Sequence, residues 1–223
     1  MFLWYTHFLH MDAPVSIIVP VYKEKRLEET LLSIRAQSRK PQEVIIVVDG
    51  ETEPFETHFR VIRIEHAGAS TARNVGFTAS SEPYVLFLDS DTLLYPNYLE
   101  KMLEAIDGYE FSYCDFLQSG IRSSIHHAQP FDAEKLKDQN YIDTISLIDR
   151  TCLSDTPFDP SLGRFQDWDL WLTLSAQGFC GAYVPEVLMS KWFDAQGLSA
   201  AQDSAYWEQM VRQKHHLSCI ASS

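Results

Sequence analysis

A hydrophobic run near the middle of the chain closes on two aspartates, in Tyr84-Val85-Leu86-Phe87-Leu88-Asp89-Ser90-Asp91. Leu86, Phe87 and Leu88 read as a buried strand. The carboxylates then emerge together at its carboxyl end, where open α/β sheets place their ligand crevice. Two carboxylates one residue apart suit a hard divalent cation, Mn2+ or Mg2+, shared with the phosphates of a substrate. The same residues would also serve a strand followed by a solvated turn, since Asp and Ser favour turns. The choice between the two rests on the rest of the chain.

Arg73 is the second chemical signal. The sequence places it in the first turn of a helix, where the helix dipole disfavours a cation, so it needs a partner. A nucleotide phosphate or base edge would serve, and so would an internal ion pair with Asp89 or Asp91. The adjacent pair His126-His127 lies in a polar stretch and reads as solvated rather than metal-binding. Cys114, Cys152, Cys180 and Cys219 are far apart with no Cys-x-x-Cys pair, against a zinc knuckle. They read as buried thiols of a reduced intracellular protein.

These side chains need a framework, and the first half supplies an alternating one. Val15 to Val21 is a β-branched run that reads as a buried parallel strand. Lys25 to Gln37 carries Leu27, Leu31 and Ile34 at helical spacing. Strands follow at 43–50 and 60–64, then a helix over 71–79 capped by Ser70 or Thr71. After the two aspartates, Pro96 suits the first position of a helix that buries Leu99, Met102, Leu103 and Ile106. A strand over 110–116 completes a pattern of strands and helices that predicts a mostly parallel sheet with helices on its faces.

The second half is less regular. Residues 119–139 read as loop, and 144–153 as a weak strand or helix. A helix starts at Phe165 and stops at Gly178, a suitable C′ residue. A short strand over 182–185 and a terminal helix over 204–217 follow.

Composition narrows the partners. The 223 residues carry a formal net charge of −13, with no basic stripe, against a nucleic-acid partner and against electrostatic docking on anionic lipid. The apolar residues 1–10 are too short to span a bilayer and lack a signal-peptide core. They fit an extension ahead of Met11 or a surface-docking strand. The expectation is a cytoplasmic protein, with hydrophobic, peripheral contact at the inner membrane face left open.

In this order, the motifs resemble a family 2 glycosyltransferase of the GT-A fold. Val15-Ser16-Ile17-Ile18-Val19-Pro20-Val21-Tyr22 is similar to the family's opening strand and sugar-nucleotide loop. Val44 to Gly50 resembles its second strand, and Ala67-Gly68-Ala69-Ser70-Thr71-Ala72-Arg73-Asn74-Val75-Gly76 its Gly-x-x-x-Ala-Arg-Asn-x-Gly helix. Leu88-Asp89-Ser90-Asp91 resembles its Asp-x-Asp signature. Phe158-Asp159-Pro160 through Gln166-Asp167-Trp168-Asp169 resembles its acceptor-side helix. The chain departs from the pattern at Val48 and Gln166, where acids are usual, and over 191–199, where a histidine or arginine often stands near the phosphates.

The resemblance implies a GT-A, Rossmann-like α/β domain with a smaller acceptor-side half. Residues 13–116 would bind the nucleotide sugar and 117–223 the acceptor, within one compact domain. It implies a metal-dependent, inverting transfer from a nucleotide-diphosphate sugar, UDP-linked by expectation, to a hydroxyl of a carbohydrate or lipid-linked acceptor. Asp91 would bind the metal directly, and Asp89 would bond the ribose or support the metal through water. Pro20, Tyr22 and Asp49 would line the nucleotide pocket, with Arg73 at a phosphate or base edge. Asp167 would be the general base, unless it serves only as a helix N-cap. Two alternatives stay open: a sugar nucleotidyltransferase, disfavoured by a first loop without glycine, and a non-catalytic sugar-nucleotide binding module.

Overall fold

The computed structural model describes residues 12–121, 123–193 and 204–218. The N-terminal apolar stretch, residues 194–199 and Cys219 lie outside them. Four parallel strands form the frame: β1 (Ala13–Val21), β2 (Pro41–Asp49), β3 (Arg60–Ile64) and β4 (Tyr84–Phe87), in spatial order β3-β2-β1-β4. Each central strand is apolar on both faces because helices cover both. On one side Ile17, Val19 and Val21 pack with α1 (Leu27–Arg35) and α3 (Tyr98–Ala105). On the other, Ile18, Ile45 and Val47 pack with α2 (Ala69–Ala79) and α5 (Gln166–Ala176).

Beyond β4 the sheet becomes mixed. β8 (Leu147–Asp149) runs antiparallel to β4 on one edge and to β6 (Phe111–Gly120) on the other. β9 (Gly181–Phe193) runs parallel to β6, and β5 (Thr92–Leu94) pairs antiparallel with the end of β9. The expected parallel order therefore holds from β3 to β4 and gives way to a mixed sheet. One sheet draws strands from before and after residue 116.

Several local expectations are corrected. The stretch 119–139 holds β7 (Ser124–His126), paired with β6, and α4 (Ala133–Asp138). Residues 144–153 hold β8 and a single 3-10 turn. The strand at 182–185 extends to Phe193 because a register shift between Val184 and Val187 takes up Pro185, which has no N–H for the ladder. α3 starts at Tyr98 rather than Pro96. α2 is preceded by Gly68 at φ +91° rather than by a hydroxyl cap, and Arg73 sits a full turn inside it. The stop at Gly178 holds: its φ is +87°, and Gly178 N and Phe179 N donate to Ser175 O and Leu174 O in a Schellman pair. The terminal helix α6 spans Ser204–Lys214.

Candidate functional site

The carboxyl ends of β1, β2 and β4 open at a reversal of strand order, since β1 lies between β2 and β4. That reversal is the switch point where open α/β sheets form a crevice. Pro20 and Tyr22 leave β1 there, Asp49 ends β2, and Asp89 and Asp91 follow β4. The fold brings these predicted residues to one edge.

The Asp89-Ser90-Asp91 turn is fixed by its backbone. Leu88 N donates to Ile18 O, Thr92 N to Asp89 O, and Trp192 N to Asp91 O. The buried Thr30 hydroxyl of α1 donates to Ser90 O at 2.8 Å. The turn is thus tied to α1 and β9 as well as to β1.

Asp89 lies between two cations. Arg73 Nη2 donates to Oδ1 at 2.7 Å, and Lys191 Nζ stands 3.2 Å from Oδ2. Burial acts to raise the Asp89 pKa, but Lys191 and Arg73 outweigh it and hold it down at about 2. The internal ion pair weighed for Arg73 is therefore present. Its other arm donates from Nη1 to Gln166 Oε1 at 2.9 Å, and the guanidinium stacks over Phe158. Asn74, next along α2, clasps the Phe158 backbone in both directions at 2.7 and 3.0 Å. Two residues on, Gly76 lets α2 approach β1, since a Cβ there would meet Ile18 Cγ2 at 2.3 Å. Arg73, Asn74 and Gly76 of this helix signature thus each make a specific contact with a neighbouring element.

Asp91 differs from Asp89. Thr92 Oγ1 stands 3.4 Å from Oδ1. Burial and then the Asp89 charge push its pKa up to about 7, with Glu24 adding to the push and Lys191 opposing it. The two aspartates of one motif therefore have opposite ionisation preferences, Asp89 favouring the anion and Asp91 the proton.

Asp167 is the second residue of α5, not its cap; Phe165 precedes the helix in a left-handed conformation. Asp167 Oδ1 accepts from Trp168 N at 2.8 Å, and Oδ2 from Asn140 Nδ2 at 2.9 Å. Burial, then the neighbouring Asp143, raises its pKa. Asp169 points elsewhere and is buried against Lys214 Nζ and His215 Nε2, at 2.9 and 2.8 Å.

Sequence reasoning missed the side chains that join these groups. Lys191 Nζ donates to Asp143 Oδ1 and Oδ2 at 3.0 and 2.8 Å while reaching Asp89. Asp143 and Asp167 line one cavity of about 120 Å³ with Phe116, His126, Asn140 and Tyr141. Lys191 on β9 meets Asp143, in the loop between α4 and β8 that also carries Asn140, only through the fold.

On the nucleotide side, Asp49 is buried and accepts from Ala67 N and Gly68 N at 2.6 and 2.9 Å, with His66 Nδ1 at 3.0 Å. Its carboxylate holds the loop into α2. Tyr22 is half exposed and stacks on His66, with ring centroids 4.1 Å apart. Gly50, at φ +90°, makes room beneath that ring; a Cβ would stand 3.0 Å from His66 Cβ. His66 thus occupies one face of Tyr22, a residue expected to line the nucleotide pocket.

A family model described as glycosyl transferase family 2 matches residues 16–158. An uncharacterised glycosyltransferase of Rickettsia bellii is 26% identical over 202 residues, covering 79% of this chain and 28% of that protein. A Bacillus subtilis glycosyltransferase named for teichuronic acid biosynthesis, TuaG, is 29% identical over 194 residues, covering 78% of this chain and 77% of its own. The fold is similar to that of S. aureus TarS 1-349 in complex with UDP-GlcNAc, with a TM-score of 0.74 at 18% identity, over 92% of this chain and 65% of the other. The chain spans less than a third of the length of several curated relatives it matches. Among the described residues no helix is long and apolar enough to cross a membrane.

Proposed function

The chain belongs to glycosyl transferase family 2, and from that premise we propose that it transfers a sugar from a UDP-sugar to an acceptor hydroxyl, with inversion and with the help of a divalent cation. The observation that carries this reading is the Arg73 bridge. One guanidinium joins Asp89, on the turn after β4, to Gln166, the neighbour of Asp167 on α5. It couples a candidate diphosphate site to a candidate base.

The donor set fits a hard cation that takes most of its ligands from substrate. Among the described residues no group of three or more His, Cys, Asp or Glu is arranged to hold a metal ion. Asp91 offers a carboxylate whose pKa is up at about 7, and phosphate oxygens and water would complete such a site. When bound, the cation supplies Lewis-acid stabilisation of the departing diphosphate.

The chain's own residues do the rest. Tyr22 and Asp49 shape the nucleotide end, and Asp89 lies near the ribose and the cation. Asp167 takes the acceptor hydroxyl proton as that oxygen bonds to C1 of the sugar. The bond from C1 to the diphosphate oxygen breaks, and UDP leaves with the electron pair. One base opposite the leaving group gives inversion. Burial raises its pKa, which makes the carboxylate a stronger base than a free aspartate.

A thermal-shift panel of UDP-, GDP- and dTDP-sugars, with and without Mn2+, followed by a nucleotide-release assay, tests the proposal. A UDP-sugar should stabilise the protein most, and only with the cation should the shift be large. No shift with any nucleotide sugar would remove the donor assignment. A shift without release in the presence of acceptor extracts would favour a binding module.

A further inference from the structure

The pair His126-His127 has a use that its polar surroundings did not suggest. Adjacent residues of an extended chain point to opposite sides, and here the two imidazoles do different things. His127 Nδ1 lies 2.8 Å from Oδ2 of the buried Asp115, whose Oδ1 accepts from Ala128 N and Tyr183 Oη at 2.9 and 2.7 Å. That anchor fixes the end of β7 against β6. His126, its cross-strand partner Phe116 and Asp167 then line the same cavity. The two rings are stacked, with centroids 4.6 Å apart and planes 23° apart.

We infer that this cavity is an acceptor subsite that takes the terminal ring of an uncharged saccharide, with His126 as the exposed half of its aromatic wall. The inference rests on the glycosyl-transfer reading above and names the acceptor class for it. At about 120 Å³ the cavity holds the body of one sugar ring rather than a chain. The C–H edges of a pyranose carry slight positive charge and pack on the negative face of an aromatic ring. Asp143 and Asp167 supply acceptors for its hydroxyls, and Asn140 supplies an amide. An anionic sugar or a phosphate would meet two carboxylates there. The nearby cation, Lys191, already serves Asp143 and Asp89.

The test is saturation-transfer NMR on the full chain, with and without UDP and Mn2+. The probes are methyl β-glucoside, methyl N-acetyl-β-glucosaminide, methyl β-glucuronide and glucose 1-phosphate. An uncharged glycoside should bind through its C–H face, and the two anionic sugars should not. His126→Ala, a change at an exposed ring, should weaken that binding about five- to tenfold while leaving the thermal midpoint in place. Equal binding by the variant, preference for an anionic probe, or no glycoside signal under either condition would overturn the inference. UDP affinity is measured on the same samples. Glycoside failure with UDP bound removes this subsite alone, whereas glycoside binding without UDP binding removes the donor reading.

Discussion

Lys191 grips both carboxylate oxygens of Asp143, at 2.8 and 3.0 Å, and the same ammonium reaches Asp89 at 3.2 Å. Burial opposes its charge, yet Asp143 and Asp89 more than compensate and raise its pKa. One cation thus ties the Asp89 turn to the cavity lined by Asp143 and Asp167.

Removing it should leave two acids facing each other across a desolvated gap. Lys191→Met is expected to destabilise the fold by about 3 kcal/mol, as for other broken buried pairs. Urea unfolding measures the loss. Adding Asp143→Leu to Lys191→Met should recover part of it, because Asp89 keeps Arg73 and no carboxylate that Lys191 served is then left without a cation. An unaltered midpoint in the single variant would show that the ion pairs contribute nothing to stability.

Asp91 gives a pH prediction with a definite sign. Its folded pKa, about 7, lies above the ordinary 3.8. The folded state therefore holds a proton that the unfolded state has released, and stability falls as pH rises from about 4 to 7. In EDTA, Asp91→Asn should flatten this slope and raise the thermal midpoint at pH 8, by about 2–4 °C for each kcal/mol regained. Mn2+ should bind the wild type more tightly as pH climbs towards 7, since it displaces that proton. Asp89, held at about 2, works in the opposite sense: its contribution is complete above pH 4 and is lost as pH falls towards 2. Scanning calorimetry from pH 3 to 8, with and without Mn2+, separates the two.

UDP should bind weakly in EDTA and tightly in Mn2+, because the Asp91 carboxylate would otherwise face the diphosphate as a like charge. Titration calorimetry under both conditions checks this. Equal affinities would end the case for a cation.

Asp167→Asn should keep UDP affinity and lose about 10²–10⁴-fold in turnover, since an amide cannot take a hydroxyl proton. The amide oxygen can still accept from Trp168 N, so α5 should keep its place. Turnover near that of the wild type would reopen the search for the base, with Asp143 next in line on geometry.

Gly76→Ala adds one methyl 2.3 Å from Ile18 Cγ2 and 3.2 Å from Val47 Cγ2. Both belong to the sheet, so neither can swing aside. A loss of about 1–3 kcal/mol is expected by urea unfolding, with UDP affinity weakening as Arg73 on the same helix is displaced.

The parts of this architecture visible in the sequence are those written in short-range patterns. Apolar β-branched runs marked β1 to β4, the spacing of Leu27, Leu31 and Ile34 marked α1, and Gly178 marked the end of α5. The Asp-x-Asp turn was legible as a candidate site at the end of its strand, and Asp167 as a candidate base only through the family resemblance. What stayed hidden arises between distant residues. β5 and β7 are three residues each and exist by pairing with β9 and β6. β9 was cut short because Pro185 and the exposed Glu186 interrupt its apolar run at the register shift. Lys191 opens the stretch 191–199 noted as a departure from the family pattern, and its partners emerge only when its strand crosses beside Asp89.

The insertion of β8 between β4 and β6 has a consequence for the order of assembly. β4, which leads to both aspartates, stays half-paired until residues 147–149 arrive from the far side of the chain. Truncation at residue 120 would leave the β4 edge bare, with unpaired N–H and C=O groups that invite a second molecule to add a strand. During synthesis the crevice is therefore completed late, and closing a loop of that length is slow relative to local helix formation. A ribosome-bound intermediate stalled before residue 147 should be recognised by chaperones that bind exposed strands, and release of that recognition would mark the moment at which the Asp89 turn acquires its lasting geometry.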